Sequence, residues 1–196
     1  MNVRAANGVE LFYDFLEHPE RAARAASERP PVAFGVAAYI AAAATFFLAQ
    51  SLSGVNAFGS SWIALLMYCV WNVASGFLMA ALVHLFADGM GGEGRVTPLF
   101  VMLGYSELAW SLALPVTLIT LAVFPDSMWP SIIAMGSIGF IVFLVKVRTI
   151  RLNYRFSRLQ AAVSLAAPYG TIAAALVLGL GGMFWMVIAA VSRAAA

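Results

Sequence analysis

The chain is 196 residues long, 63% hydrophobic and only 10% charged, where an ordinary soluble domain carries about 25% charged residues. That composition excludes a water-soluble domain, because no soluble fold of this size could cover the five long apolar runs it contains. The net charge of +2 excludes little by itself, since the placement of the charges is more informative than their sum.

The first 30 residues include Glu10, Asp14, Glu17 and Glu20 and hold no apolar core of the kind a signal peptide needs, so no cleavable leader is expected. Within segment 9–16, Val9, Phe12 and Leu16 recur at helical spacing, flanked by Leu11 and Phe15. Glu10, Asp14 and Glu17 lie opposite them. This predicts a short amphipathic helix in the interface plane, serving as a partner's docking surface or, more plainly, as an anchor. Pro19 ends it and is placed to open a second helix through Ser27. Pro30-Pro31 then punctuates before the first apolar run.

The apolar runs lie at about 32–52, 60–86, 98–124, 129–147 and 161–191. Each has at least about 19 residues, and about 20 suffice to cross the hydrocarbon core. The expected fold is all-α, a polytopic membrane protein with five transmembrane helices behind the interfacial helix. Residues 1–31 form a cytoplasmic N-terminal segment and 32–196 a five-span membrane domain. Placing the N-terminus inside puts Arg4, Arg21, Arg24, Arg29, Arg95, Lys146, Arg148, Arg151, Arg155 and Arg158 on the cytoplasmic side and leaves only Arg193 outside. The opposite orientation would invert the positive-inside bias. The expectation is a multi-pass protein of the cell (inner) membrane, N-terminus cytoplasmic and C-terminus outside. Arg148, Arg151, Arg155 and Arg158 should meet anionic lipid headgroups. With that counter-charge at hand, nucleic acid is not an expected partner.

Spanning helices associate through close approach of small residues. Span one carries Ala33, Ala37, Ala41, Thr45 and Ala49 four apart, and span five carries Ala162, Ala166, Gly170 and Ala174 in the same register. These two faces are the expected sites of tight packing, with each other or across an oligomer. Pro115 and Pro168 fall inside spans three and five and should kink them. Cys69, alone inside span two, permits no internal disulfide and is read as a packing residue.

Gly89, Gly91 and Gly94 match G-x-G-x-x-G, but a dinucleotide site needs a preceding strand, and here the glycines join two spans. They predict a turn with Gly89 or Gly91 near the helix C-cap. His18 and His84, the two histidines, lie in different elements. No catalytic constellation, cofactor or metal site is therefore expected, and the chain is read as a non-enzyme. One constellation stands out. In span two, Asn72, Gly76, Ala80, His84 and Asp88 form a polar and small-residue stripe along one face. In span three, Gly104, Glu107 and Ser111 share a face, with Glu107 close to mid-depth at about 1.5 Å of rise per residue. A carboxylate there must be paired, protonated or wet and should face the bundle interior. Two readings follow: a polar pathway for a proton, cation or small solute through Asn72, His84, Asp88, Glu107 and Ser111, or a buried network with protonated Glu107 bonded to Asn72 or Ser75.

Three stretches carry a family resemblance: His84-Leu-Phe-Ala-Asp-Gly-Met-Gly-Gly-Glu-Gly94, Val101-Met-Leu-Gly-Tyr-Ser106, and Arg151-Leu-Asn-Tyr-Arg-Phe-Ser157 followed by Ala161-Ala162 and Pro168. With the short N-terminal helix and five spans, the chain resembles a compact prokaryotic member of the Yip (Ypt-interacting protein) family. The resemblance covers most of the chain. It implies a non-enzymatic factor of membrane organisation or trafficking that associates with itself or with other membrane proteins. The Rab-type GTPase partners of eukaryotic members are not carried over, and the family supplies no catalytic residues. The alternative is a small channel or transporter for protons, cations or a small solute, using Glu107 and His84.

Overall fold

A computed structural model describes residues 8–56 and 59–194, with the side chains of 187–194 excepted. Arg4 and the side chain of Arg193, both counted in the charge asymmetry, lie outside what it describes. The described elements are α1 (Gly8–Glu17), α2 (Pro19–Glu28), α3 (Val32–Leu52), α4 (Trp62–Gly89), α5 (Val96–Glu107), a 3-10 segment (Leu108–Leu112), α6 (Ala113–Val123), α7 (Trp129–Tyr154) and α8 (Arg158–Ala194). Five helices are long and apolar enough to cross a membrane: α3, α4, the α5–α6 pair taken as one span, α7 and α8. The chain is an all-helical, multi-pass membrane protein.

Local chemistry sets most of the boundaries. Ser61 caps α4 by accepting a hydrogen bond from the Ala64 amide at 3.1 Å. Gly91, at φ 81°, closes the other end of α4, and the Gly92 amide returns to the Ala87 carbonyl at 2.9 Å. That left-handed position suits glycine, which carries no Cβ to clash. Ser157 and Gln160 form a reciprocal capping box at the start of α8, each side chain accepting from the other's amide. Arg155 ends α7 at φ 58°, a left-handed position rarely held by a residue with a side chain.

Pro115 acts upstream of itself. It has no amide to give the Ser111 carbonyl, and its ring crowds that carbonyl. The helix answers by tightening into the 3-10 segment between α5 and α6. Pro168 leaves α8 unbroken but marks where it leaves the bundle. Ala161, Ser164, Leu165 and Pro168 are buried, and from Tyr169 to Met186 every residue of α8 is exposed.

The packing decides against one of the two alternatives, since spans one and five do not pack tightly on each other within the chain. Span one leaves Ala33, Ala37 and Ala41 of its stripe exposed, half-buries Thr45 and buries Ala49, while its inner half turns a different face to the bundle. It buries Gly35, Ala38, Tyr39, Ala42 and Ala43 instead, against α4 and α5. Span five packs on α4 and α7, and its Ala166, Gly170 and Ala174 are exposed. Tyr39 decides the face of span one. Its ring is 2% exposed and stacks on Phe100 at 5.1 Å. It lies over Gly76 of α4 and Gly104 of α5, where no Cβ would fit.

The N-terminal helices fold back onto one end of the bundle. Leu11 and Phe15 of α1 and Ala22, Ala23 and Ala26 of α2 join the main core. Phe12 and Phe15 pack on Tyr105, whose hydroxyl donates to the Gly8 carbonyl at 3.1 Å. The expected apolar stripe of α1 is thereby split. Phe12 goes inward with Leu11 and Phe15, while Val9, Tyr13 and Leu16 stay exposed, on a face that suits lipid. The Tyr13 hydroxyl donates to Glu17 at 2.7 Å, and that carboxylate raises its pKa above the ordinary value. Arg95 reaches the Ser27 carbonyl at 3.2 Å, and Asn153 reaches the Arg95 carbonyl at 3.1 Å. The α1–α2 pair, the 90–95 turn and the end of α7 thus share one end, called here the basic end.

Candidate functional site

Span four continues past the expected boundary at 147. Helix α7 runs on to Tyr154, and Thr149 and Ile150 are buried. Lys146, expected at the cytoplasmic edge of span four, therefore lies about two turns inside its helix. Eight residues separate it from the helix end, or about 12 Å at 1.5 Å per residue. Its ammonium lies 2.5 Å from the Glu107 carboxylate, with both side chains under one-fifth exposed. This corrects the expected partner of Glu107. Its side chain is bonded across to Lys146 of span four rather than to Asn72 or Ser75 of span two.

The pair lines a cleft of about 300 Å³. Asn72 and Ser75 come from α4, Leu103 and Glu107 from α5, Lys146 from α7, Tyr169 from α8 and Tyr39 from α3. All five spans therefore reach one point. Helix α4 packs on α5 and α8, and α7 packs on the same two helices, so the cleft sits inside a ring of four. Val83, Leu103 and Leu165, which also line it, belong to the buried core that includes Leu99, Met102, Ile150 and Ala161. Away from the basic end, α8 supplies no buried residue between Tyr169 and Met186.

The other expected site residues fall elsewhere. His84 Nδ1 lies 2.7 Å from the Tyr154 hydroxyl, and the two rings stack. Tyr154 also lies over Gly94, pinning the 90–95 turn to the end of α7. Asp88 is exposed one turn further on. Ser111 is turned away from Glu107. Four residues of 3-10 helix overshoot a full turn by about a third, so the α-helical face assumed for it does not hold. Its hydroxyl accepts from Thr45 of span one at 3.4 Å. Asn72 and Glu107 thus line one cleft, and His84 and Asp88 lie outside it. No three His, Cys, Asp or Glu side chains cluster among the described residues.

Arg148, Arg151, Arg155 and Arg158 are all exposed at the basic end. Arg148 shares a shallow cleft with Glu17, Arg21 and Arg24 of the N-terminal helices. Arg155 lies 4.0 Å from Glu93, with both side chains more than four-fifths exposed, a geometry worth little in water.

A family model, the Yip1 domain, matches residues 13–181. No curated relative and no solved structure matches the chain.

Proposed function

We propose, from the fact that the chain belongs to the Yip1 domain family, that it is a non-enzymatic organising or interaction factor of its membrane, assembling with itself or with other membrane proteins through α8. One observation carries this reading. Residues 171–186 of α8 are exposed on every side, whereas the other spans each bury a face. The segment includes Ala173, Ala174, Ala175, Gly179, Gly181 and Gly182, the small residues through which helices approach closely in lipid. A second helix would supply the packing that this half of α8 lacks.

The test uses single cysteines in a Cys69→Ser background. Ala174→Cys in native membranes should form a disulfide with a second copy or a thiol adduct with another membrane protein. Trp71→Cys, on an exposed face of α4, should give neither under the same oxidant. Equal yields at both positions, or none at Ala174, would remove the assembly role of α8.

The transport alternative draws on the cleft beside Glu107. Of the two residues it requires, Glu107 lines that cleft and His84 does not, its ring being bonded to Tyr154 instead. That separation favours assembly over conduction.

We also infer that the basic end faces the cytoplasm of a cell (inner) membrane, with the exposed arginines against anionic headgroups. Support comes from Arg21, Arg24, Arg95, Arg148, Arg151, Arg155 and Arg158, which gather at that end. In the same background, an impermeant thiol reagent on intact cells should label Val55→Cys and spare Leu159→Cys, two exposed positions at opposite ends. Labelling of Leu159→Cys alone would reverse the orientation.

A further inference from the structure

The Glu107–Lys146 pair closes a salt bridge at depth, yet the cleft beside it is roomy and edged with hydrogen-bonding groups from Asn72, Ser75 and Tyr169. A tie that only joined two helices would need no such space. The charge of the site restricts what can enter. A lone cation that captured Glu107 would strand Lys146 as an unpaired ammonium, and a lone anion would strand Glu107. Stranding a charge away from water is the costly outcome for a buried ion pair. A ligand carrying both charges strands neither, because it exchanges one ion pair for two. Its ammonium meets Glu107 and its anion meets Lys146.

The surroundings favour a lipid as the carrier of those charges. Lys146, Leu165 and Tyr169 also line a second cleft of about 320 Å³, whose remaining walls are Trp110, Gly139, Val142, Phe143 and Ala166. The two clefts therefore meet at Lys146, the first carrying the Asn72, Ser75 and Glu107 side chains and the second walled, apart from Lys146 and Tyr169, by apolar and aromatic residues. A headgroup can sit in the first while an acyl chain lies in the second. We propose that the Glu107–Lys146 cleft binds a zwitterion bearing a primary ammonium and a phosphate, the chemistry of an ethanolamine phospholipid headgroup. A primary ammonium donates up to three hydrogen bonds to Glu107, Asn72 and Ser75, whereas a trimethylammonium donates none. Ethanolamine lipid should therefore be preferred over choline lipid. This inference concerns the bundle interior and is independent of the assembly role of α8.

The experiment uses the full chain, equilibrated in mixed vesicles of equal phosphatidylethanolamine and phosphatidylcholine with matched acyl chains, then extracted in mild detergent. Lipid retained per protein is measured. The wild type should hold ethanolamine lipid in about tenfold excess over choline lipid, the effect of one charge-assisted hydrogen bond. Two variants should lose the excess: Glu107→Gln with Lys146→Met, which removes both charges together, and Ser75→Leu, which fills the cleft from α4 and leaves the pair intact. A second arm adds water-soluble glycerophosphoethanolamine to protein in detergent and follows the melting temperature. A shift there without lipid enrichment would support the same chemistry and assign a soluble source. Equal retention of the two lipids with no shift from the soluble probe overturns the proposal. So does an excess that survives in either folded variant.

Discussion

Lys146→Met alone should be among the most damaging single substitutions in the bundle, lowering stability by about 3–5 kcal/mol. The thioether fills the same space, so the loss does not come from a cavity. It comes from Glu107, left as a carboxylate without its cation in a side-chain environment under one-fifth exposed. Glu107→Gln should also cost, because a neutral amide gives the Lys146 ammonium a weaker acceptor. The double variant should recover most of the loss, since a pair of neutral side chains of similar volume replaces a buried ion pair at little net cost. Melting temperatures of the four proteins in one detergent close a double-mutant cycle. A double variant as unstable as the sum of the singles would mean that Glu107 and Lys146 do not depend on each other.

Why Glu107 could be found from the sequence and its partner could not is a question of which signal dominates. A lone carboxylate inside an apolar run stands out at once, and its need for company follows from desolvation alone. Lys146 precedes Arg148, Arg151 and Arg155, and so reads as the cytoplasmic edge of span four, one residue from its end. The residues that contradict this are uncharged and modest: Val147, Thr149 and Ile150, of which the last two are buried. Their helical spacing continues the span, but a cluster of charges outweighs so short a run. The packing face of span one is ambiguous for a different reason. Alanines recur at 33, 37, 38, 41, 42, 43, 44 and 49, so more than one face is small and periodicity selects none. The choice falls to Tyr39, the one large polar ring in the span, whose position over two glycines depends on contacts distant in sequence. Ser111 was placed by assuming an α-helix through a region that Pro115 tightens. The five spans themselves were legible because the membrane imposes a length no side-chain detail can alter. Span one, bounded by Pro30-Pro31 and Gly54, runs from Val32 to Leu52 as expected.

The glycines beneath Tyr39 set the second large effect. Replacing a helical glycine by alanine ordinarily stabilises a helix by about 0.5–1 kcal/mol. At Gly104 the opposite sign is expected. A Cβ there would lie 2.8 Å from the Gly35 carbonyl oxygen and 2.9 Å from the Tyr39 ring. The carbonyl belongs to helix backbone and cannot rotate away. The ring is held between Phe100 and Gly76 and has nowhere to go. Relief requires α3 to move off α5, which loosens the contact where Gly35 itself meets Val101. Overpacking of this kind costs about 1–3 kcal/mol, more than the propensity gain returns. Gly136 supplies the comparison. It lies in α7, exposed, with nothing near its missing Cβ, so Gly136→Ala should hold or raise the melting temperature while Gly104→Ala lowers it. If both variants melt together, close approach at Gly104 does not limit the packing of α3 on α5. If Gly104→Ala falls and adding Tyr39→Leu restores part of the loss, the ring is confirmed as the obstacle, and the site where all five spans converge depends on a tyrosine held between two glycines.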